Sequence, residues 1–378
     1  MVTRRKIAFL LLALPAVLLG AVQDVWTGVD RIVAIGDVHG DYKQFVTLLQ
    51  QAGLIDKDEK WTGGKAHLVQ TGDVPDRGPD TRKVMDLLIR LEKDAVKAGG
   101  YVHALIGNHE AMMIYGDIRY VVPEEFASFA EAGSQKALDV YYANEIEAMK
   151  RNPPPGGLPR FDAAYRKEWD ALHPLGFAEH REAFGPRGAY GKWIRKHNAI
   201  VKINDTVFLH GGIGPKYGTQ MIQKLNDRIR NELEDPQNLL RNGVTADSEG
   251  PLWYRGLAQG DEAPLNNFVD SLLRNLGAKR IVLGHTVTAG TVTPRFGGRV
   301  ILNDNGMSAV YGSRLACLVI EKDQVYTLHR GQRIDLPTGS GSDLLEYYRK
   351  AAALDPEPSP LAGVIRQLEA KLGASASR

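Results

Sequence analysis

A short loop, GDVPDRGPD at residues 72 to 80, combines three aspartates and one arginine with two glycines and two prolines. Clusters of glycine and proline end strands in turns, and acidic residues are common in turns. A solvated turn does not need an arginine between Asp73, Asp76 and Asp80, however. We therefore ask whether this loop only reverses the chain or also presents charges to a ligand.

Four other motifs, GDVHGD, GNHE, HGG and GHT, carry residue types that bind metal ions. Mixed oxygen and nitrogen ligands suit Mn, Fe or Zn better than Ca or Mg. The five motifs together supply six candidate ligand side chains. Six are too many for one tetrahedral metal ion, but they suit two metal ions that share a bridging carboxylate. The candidate ligands are Asp37, His39, Asp73, Asn108, His210 and His285.

Each motif directly follows a short apolar run that is typical of a strand: RIVAI, AHLVQT, YVHALI, DTVFL and RIVL. Helical patterns, YKQFVTLLQQAG and PDTRKVMDLLIRLEKDAVKAGG, separate the first three runs. This alternation predicts βαβ units on a parallel or mixed sheet, and thus an α/β fold. Ligands of such sheets bind at the carboxyl ends of the strands, so we expect the motifs to share one edge.

The rest of the chain is predicted to cover and extend this sheet. Residues 117–197 are expected to form a helical, lid-like insertion, which packs onto the sheet through Tyr141, Tyr142, Tyr165 and Trp169. The alternative is that these residues line a substrate groove beneath the lid. The segment RNPPPGGLP inside it is expected to be a linker. The later runs RVILND, SRLACLVIEK and QVYTLHR are expected to form a second sheet. A helical tail, 338–378, follows.

The N-terminus has the pattern of an export signal. Three basic residues at positions 4 to 6 precede an apolar stretch over 7–22, which Pro15 interrupts and which is short for a membrane span. We expect a cleaved signal peptide at 1–22 and a periplasmic or secreted protein. The alternative is a retained membrane anchor with the protein facing outside. The two adjacent arginines leave the twin-arginine route open.

Composition excludes several function classes. The net charge of +2 gives no electrostatic basis for nucleic-acid binding. The single cysteine, Cys317, excludes an internal disulfide and a cysteine-built zinc site, and we expect it to pack in a strand. Six histidines have no partner by sequence spacing and are expected to be ordinary surface or strand residues: His67, His103, His173, His180, His197 and His329.

In their order along the chain, the five motifs resemble those of the phosphoprotein phosphatase family of calcineurin-like metallophosphoesterases. The resemblance implies a β-sandwich of two mixed sheets flanked by helices, in a domain over residues 27–337. It implies two divalent or trivalent metal ions, Mn, Fe or Zn. The first would be held by Asp37, His39 and Asp73, and the second by Asp73, Asn108, His210 and His285.

The resemblance also implies roles for the remaining charged residues. Arg77 would bind the substrate phosphate with both arms of its guanidinium group, although it could instead form a surface salt bridge to Asp76 or Asp80. Asp76 would pair with His109, and His109 would protonate the leaving oxygen as general acid. Arg255, in PLWYRGLA, would be a second phosphate ligand, or else would stack on the preceding tryptophan.

The segment NDNGMSAVYG resembles the corresponding segment of the bacterial Shewanella-like phosphatases. Tyr311 in this segment is expected near the site, without a catalytic role. The implied function is hydrolysis of phosphate monoesters, with phosphoproteins or phosphopeptides as first candidates, by direct attack of a metal-bridging hydroxide. The alternatives are a dinucleoside polyphosphate hydrolase, a broad-specificity phosphomonoesterase and a non-catalytic metal-stabilised binding module.

Overall fold

The computed structural model describes residues 22–235, 243–339 and 341–376. The predicted signal peptide therefore lies almost wholly outside the described residues. Within them, none of the helices combines the length and apolar character that a membrane crossing requires.

Strands and helices alternate over the first third of the chain. The strands are β1 (Val25–Trp26), β2 (Arg31–Ile35), β3 (His67–Gln70), β4 (Tyr101–Ala104), β5 (Ile200–Ile203), β6 (Thr206–Leu209), β7 (Arg280–Leu283), β8 (Thr293–Arg295), β9 (Val300–Leu302), β10 (Ala316–Glu321), β11 (Gln324–His329) and β12 (Gln332–Asp335). The α-helices of the described residues are α1 (Tyr42–Gln51), α2 (Thr81–Lys97), α3 (Asn108–Tyr115), α4 (Pro123–Ala127), α5 (Ser134–Arg151), α6 (Ala163–Leu172), α7 (Phe177–Phe184), α8 (Ala189–Arg195), α9 (Ile222–Glu234), α10 (Gly256–Gln259), α11 (Glu262–Leu276), α12 (Ser342–Ala352) and α13 (Ala362–Ala376).

Two six-stranded mixed sheets form the centre of the molecule. One has the strand order β12-β11-β10-β2-β3-β4, in which β2, β3 and β4 are parallel. The other has the order β1-β5-β6-β7-β9-β8. Ile32 and Ala34 of β2 belong to the apolar layer between the sheets, together with Phe208 and Val282 of the other sheet. The predicted α/β fold of two mixed sheets flanked by helices is confirmed.

The helices on the outer faces follow from the sequence pattern. Val33 and Ile35, which alternate with the inward residues of β2, pack in the same apolar cluster as Phe45 and Leu48 of α1. The side chain of Asp41 caps α1 by accepting the main-chain N–H of Gln44 at 3.1 Å. Because both faces of β2 are covered, all its residues after Arg31 are apolar and buried.

The assignment of the three later runs to a second sheet was correct for RVILND and wrong for the other two. β9 pairs in parallel with β7 in the second sheet, whereas β10 pairs antiparallel with β2 and, with β11, extends the first sheet. Buried Cys317 lies in β10, as expected. An apolar run specifies a strand but not its neighbour, because the neighbour is chosen by contacts between distant segments. The short β1 pairs with β5 just before the expected start of the domain at residue 27.

The insertion contains five helices, α4 to α8, and residues 152–162 between α5 and α6 are neither helix nor strand. Trp169 and the three tyrosines predicted with it do not pack onto the sheet as expected, although Phe129, Phe184 and Tyr190 of the insertion do belong to the main apolar cluster. The insertion has a core of its own around Phe126, Leu138, Trp169 and Phe177, against which Tyr141, Tyr142 and Tyr165 pack. At helical spacing, aromatic residues identify a buried face without identifying what covers it.

Candidate active site

The predicted motifs meet at one edge, where β2, β3, β4, β6 and β7 end. The structure brings all six predicted metal ligands together there and buries each of them, with at most 6% of any residue exposed: Asp37, His39, Asp73, Asn108, His210 and His285. Polar groups that are buried in this way need partners, and here the partners are one another.

Asp73 lies at the centre of this cluster. Its Oδ2 is 3.2 Å from Nε2 of His210 and 3.9 Å from Nε2 of His39. Nε2 of His210 also lies 2.9 Å from Oδ1 of Asn108 and 3.0 Å from Nδ1 of His285. Two groups with metal-ligand spacing result, His39–Asp73–His109 and Asp73–His210–His285, and Asp73 is common to both.

The imidazole rings are oriented by main-chain carbonyl groups. Nδ1 of His210 donates to the carbonyl of Thr71 at 2.9 Å, and Nδ1 of His39 donates to the carbonyl of Pro75 at 3.1 Å. In the neutral ring each Nε2 is then an acceptor directed towards the Asp73 carboxylate, which is an acceptor as well. Acceptors that converge on one another in a buried site suit a cation, so these residues fit a metal centre.

Asp37 completes the cluster on the other side. Its carboxylate accepts the main-chain N–H of His285 at 3.1 Å, and its Oδ2 lies 3.9 Å from Nε2 of His39. Burial raises the pKa of Asp37 well above its ordinary value, and the nearby charges of Asp304 and Asp73 raise it further. A cation would relieve this repulsion between carboxylates. Sequence reasoning missed Asp304, whose own pKa burial raises to about 6.

Five site residues adopt left-handed backbone conformations: His39 (φ 46°), Asp73 (φ 60°), Asp76 (φ 74°), Arg77 (φ 69°) and His285 (φ 63°). Such conformations are unfavourable for residues other than glycine and persist only where surrounding contacts enforce them. Here they occur in the loops after β2, β3 and β7, which bring these side chains to the site. Among the described residues, five of the eleven non-glycine positions with such angles are residues of the predicted site.

Glu110 is a positioning residue that sequence reasoning missed. Its Oε2 accepts the main-chain N–H groups of Asp73 at 2.9 Å and Gly107 at 2.7 Å, and its Oε1 accepts that of Val74 at 2.7 Å. It thereby ties the loop after β3 to the start of α3. The two loops approach so closely that a Cβ atom on Gly107 would lie 2.3 Å from Oδ1 of Asp73. The sequence signal that could have identified this residue is the glutamate of the GNHE motif.

His109 and Asp76 form a buried pair beside the cluster. Nδ1 of His109 lies 2.5 Å from Oδ2 of Asp76, while Nε2 faces Oδ2 of Asp73 at 3.7 Å. Burial alone lowers the pKa of His109, but the charges of Asp73 and Asp76 outweigh burial and raise it above its ordinary value. The ring is therefore suited to carry a proton on Nε2, which the general-acid role requires.

Arg77 contacts aromatic rings rather than acids. Its guanidinium carbon lies 4.4 Å from the ring centre of Tyr120 and 5.5 Å from that of Tyr311. Within the described residues it pairs with neither of the acids considered above: Asp76 binds His109, and Asp80 binds Lys83 at 2.7 Å. The guanidinium group of Arg77 thus remains available for an anion, and its role in phosphate binding stays a prediction.

Arg255 and Tyr311 lie at the rim of the site. Nη1 of Arg255 donates to the carbonyl of His285 at 2.7 Å and to Oγ1 of Thr286 at 3.1 Å. Trp253 meets the His285 ring edge-on rather than stacking on Arg255. The ring of Tyr311 lies 5.6 Å from that of His39, near the site as expected. The phosphate-binding role of Arg255 stays a prediction.

Two packed mixed sheets, with acids and imidazoles at the strand ends around a shared carboxylate, define a metallophosphoesterase. Residues 30–289 match the model of the calcineurin-like phosphoesterase family, and the chain belongs to this family. The family typically binds two metal ions. The protein is accordingly an enzyme that acts on phosphoesters.

Comparison with individual proteins agrees with this assignment. An uncharacterised protein of Schizosaccharomyces pombe is 31% identical over 312 residues, which cover 81% of this chain and 82% of that protein. Shewanella-like protein phosphatase 2 of Arabidopsis thaliana is 30% identical over 296 residues, 74% of this chain and 72% of that protein. A cold-active protein-tyrosine phosphatase from a psychrophilic Shewanella has 27% identity and a TM-score of 0.64, over 83% of this chain and 82% of that one. The resemblance to this branch is confirmed.

Proposed function

We propose that the protein is a two-metal phosphatase that hydrolyses phosphate monoesters, with phosphotyrosine peptides as its first substrate class. The observation that carries the proposal is the position of Asp73, which belongs to both ligand groups at the site. Asp37 and His39 would complete the first metal site, and Asn108, His210 and His285 the second. When bound, two such ions polarise phosphate oxygens and lower the pKa of water, so that attack on phosphorus becomes possible near neutral pH.

The chain's own residues then have separate tasks. Arg77 binds two oxygens of the phosphate group and fixes its orientation, because a guanidinium group forms two parallel hydrogen bonds. His109 donates the proton on Nε2 to the oxygen of the leaving group as the P–O bond breaks. Asp76 holds the ring by accepting the hydrogen bond from Nδ1, which keeps Nε2 directed at the substrate. Arg255 would add a second contact to the phosphate.

The aromatic rings at the mouth of the site favour an aryl ester. The ring of Tyr120 lies 5.2 Å from the ring of His109, the proposed proton donor to the leaving group. A tyrosine side chain leaving towards His109 can pack against Tyr120, whereas a serine side chain offers no ring to do so. Solved relatives described as protein-tyrosine phosphatases support the same substrate class.

Phosphate release from a phosphotyrosine peptide, a phosphoserine peptide and diadenosine tetraphosphate would test the proposal, with manganese added and then chelated. We expect metal-dependent turnover, fastest for the phosphotyrosine peptide and reduced about 10²-fold or more by His109→Asn. The matched control is His173→Asn, a histidine of the insertion. Turnover of the dinucleotide alone would instead assign the protein to the nucleotide hydrolases.

We further propose that the protein is exported, as the basic and apolar N-terminal sequence indicates. The compartment is then the periplasm or the exterior, and the substrates are phosphoesters found there. Fractionation of cells followed by mass measurement of the mature chain distinguishes cleavage near residue 22 from a retained anchor. A full-length chain in the cytoplasmic fraction would contradict this proposal without affecting the proposed chemistry.

A further inference from the structure

Glu125 is a fully buried carboxyl group in helix α4 of the insertion, with 0% of the residue exposed. Its Oε2 accepts the hydroxyl of Thr81 at 2.8 Å, and its Oε1 lies 3.1 Å from Nε2 of His180. The main-chain N–H of Asp76 also interacts with this carboxyl group. Burying a carboxyl group is costly and is tolerated where several donors satisfy it.

Two of the contacts of Glu125, those with Asp76 and Thr81, lie at the two ends of the turn that follows β3. Asp76 and Thr81 bracket the turn that carries Arg77, and Asp76 is itself the partner of His109. Asp76 and Arg77 both have left-handed backbone angles, which external contacts must enforce. The insertion supplies a further contact here, because the carbonyl of Tyr120 accepts the main-chain N–H of Arg77 at 2.9 Å.

On the side away from the turn, Glu125 contacts His180, which is packed among phenylalanine rings of the insertion. His180 is also 0% exposed, and its ring is surrounded by the rings of Phe126, Phe129 and Phe184 at 4.8 to 5.0 Å. Such close packing leaves the Glu125 side chain little freedom to move. Glu125 is therefore held by the insertion and in turn holds the turn of the active site.

We propose that Glu125 is a positioning residue for the Asp76–His109 pair and for Arg77. Through it the helical insertion fixes the geometry of proton donation to the leaving group. The inference rests on the proposed function, in which His109 is the general acid. It adds a role for a residue that is not part of any of the five sequence motifs.

A leaving-group comparison tests this role. General-acid catalysis matters most for a poor leaving group, so the test compares phenyl phosphate with p-nitrophenyl phosphate, whose leaving group departs readily. For Glu125→Gln we expect kcat on phenyl phosphate to fall about 10-fold while kcat on p-nitrophenyl phosphate changes less than about 3-fold. The change that His109→Asn causes in the ratio of the two kcat values is the largest change expected. The matched control is Glu124→Gln, the exposed neighbour on the same helix, which should change neither substrate.

A second variant keeps the test open if Glu125→Gln folds poorly. Thr81→Val removes one donor to Glu125 at constant shape, and the ratio of the two kcat values should change in the same direction by about 3-fold. Equal losses on both substrates, or a lower Tm with an unchanged ratio, would show that Glu125 serves stability alone. If His109→Asn itself leaves the ratio unchanged, or the wild type hydrolyses neither ester, the proposed function fails instead.

Discussion

Asp73 and His210 approach each other through two hydrogen-bond acceptors. Oδ2 of Asp73 lies 3.2 Å from Nε2 of His210, while Nδ1 of the same ring donates to the carbonyl of Thr71. In a buried site this contact is favourable if a proton on Nε2 or a metal cation lies between the two atoms. The same carboxylate also faces His39 and His109. Asp73 is thus common to both candidate ligand groups, and both proposed metal positions depend on it.

Removing the charge of Asp73 should abolish loading of the site. Asp73→Asn keeps an oxygen that can accept the main-chain N–H of His109 but loses the negative charge. We expect less than one metal ion per chain after dialysis and a loss of kcat greater than about 100-fold. Elemental analysis and phosphate release measure the two effects. Asp80→Asn, in the same loop, is the control, and full metal content in Asp73→Asn would contradict the bridging role.

Replacement of Glu110 should weaken metal binding without removing a ligand. In Glu110→Gln, one carboxylate oxygen becomes an NH₂ group that faces main-chain donors of Asp73, Gly107 or Val74. We expect metal affinity to fall about 10- to 100-fold, because residues that orient metal ligands have effects of this size. Recovery of activity on titrating manganese into the chelated enzyme gives the affinity. An unchanged titration curve would limit Glu110 to a folding role, and Glu124→Gln is the matched control.

Arg77→Lys should separate substrate binding from chemistry at the metal ions. Lysine keeps the charge but loses the planar fork, so we expect KM for a phosphoester and the inhibition constant of inorganic phosphate to rise together by about 10-fold. Metal content should stay at the wild-type level. Arg82→Lys, which removes the contact of Arg82 with the carbonyl of Ser128 on the surface, is the control. A normal KM in Arg77→Lys would exclude the phosphate role.

The sequence predicts residues that share a motif better than residues that meet only in the fold. Asp37, His39 and Asn108 were predictable because each follows an apolar strand, and the ends of parallel strands meet at one edge. Asp304 follows the apolar run of β9 in the same way, and β9 is parallel to β7, but it lies outside the five motifs and was not assigned to the site. Glu125 gave no sequence pattern at all, because its three contacts lie in α2, α7 and the loop after β3.

The prediction of strand pairing from the sequence was limited for the same reason. The alternation of β2, α1, β3, α2 and β4 predicts a parallel sheet because parallel neighbours must be joined by a crossover, usually a helix. The later strands have long or antiparallel connections, which leave several neighbours open, so β10 could not be predicted to pair with β2. Four of the six histidines that were predicted to be ordinary surface or strand residues are buried and have polar partners: His67, His103, His180 and His329. These contacts could not be predicted, because sequence spacing does not reveal which distant residues meet in the fold.

One of these pairs makes the stability of the protein dependent on pH. Nδ1 of His67 lies 3.0 Å from Nε2 of His103, and both residues are buried. Burial lowers the pKa of His67 from 6.5 to about 4, and burial together with the charge of His67 lowers the pKa of His103 well below 6.5. Between pH 6.5 and about 4 the unfolded chain therefore binds protons that the folded chain does not bind. The free energy of unfolding should fall as the pH falls through this window.

His103→Gln removes one of the two titrating groups and keeps an atom able to hydrogen bond to His67. We expect the loss of unfolding free energy between pH 7.5 and pH 5 to be smaller in this variant than in the wild type, by about 2 kcal/mol at most. Urea denaturation at the two pH values measures it, and the difference at pH 7.5 corrects for altered packing, because His103 is neutral in both states there. Equal pH dependence in the two proteins would show that His103 is protonated in the folded protein within this range, and that burial does not hold its pKa down.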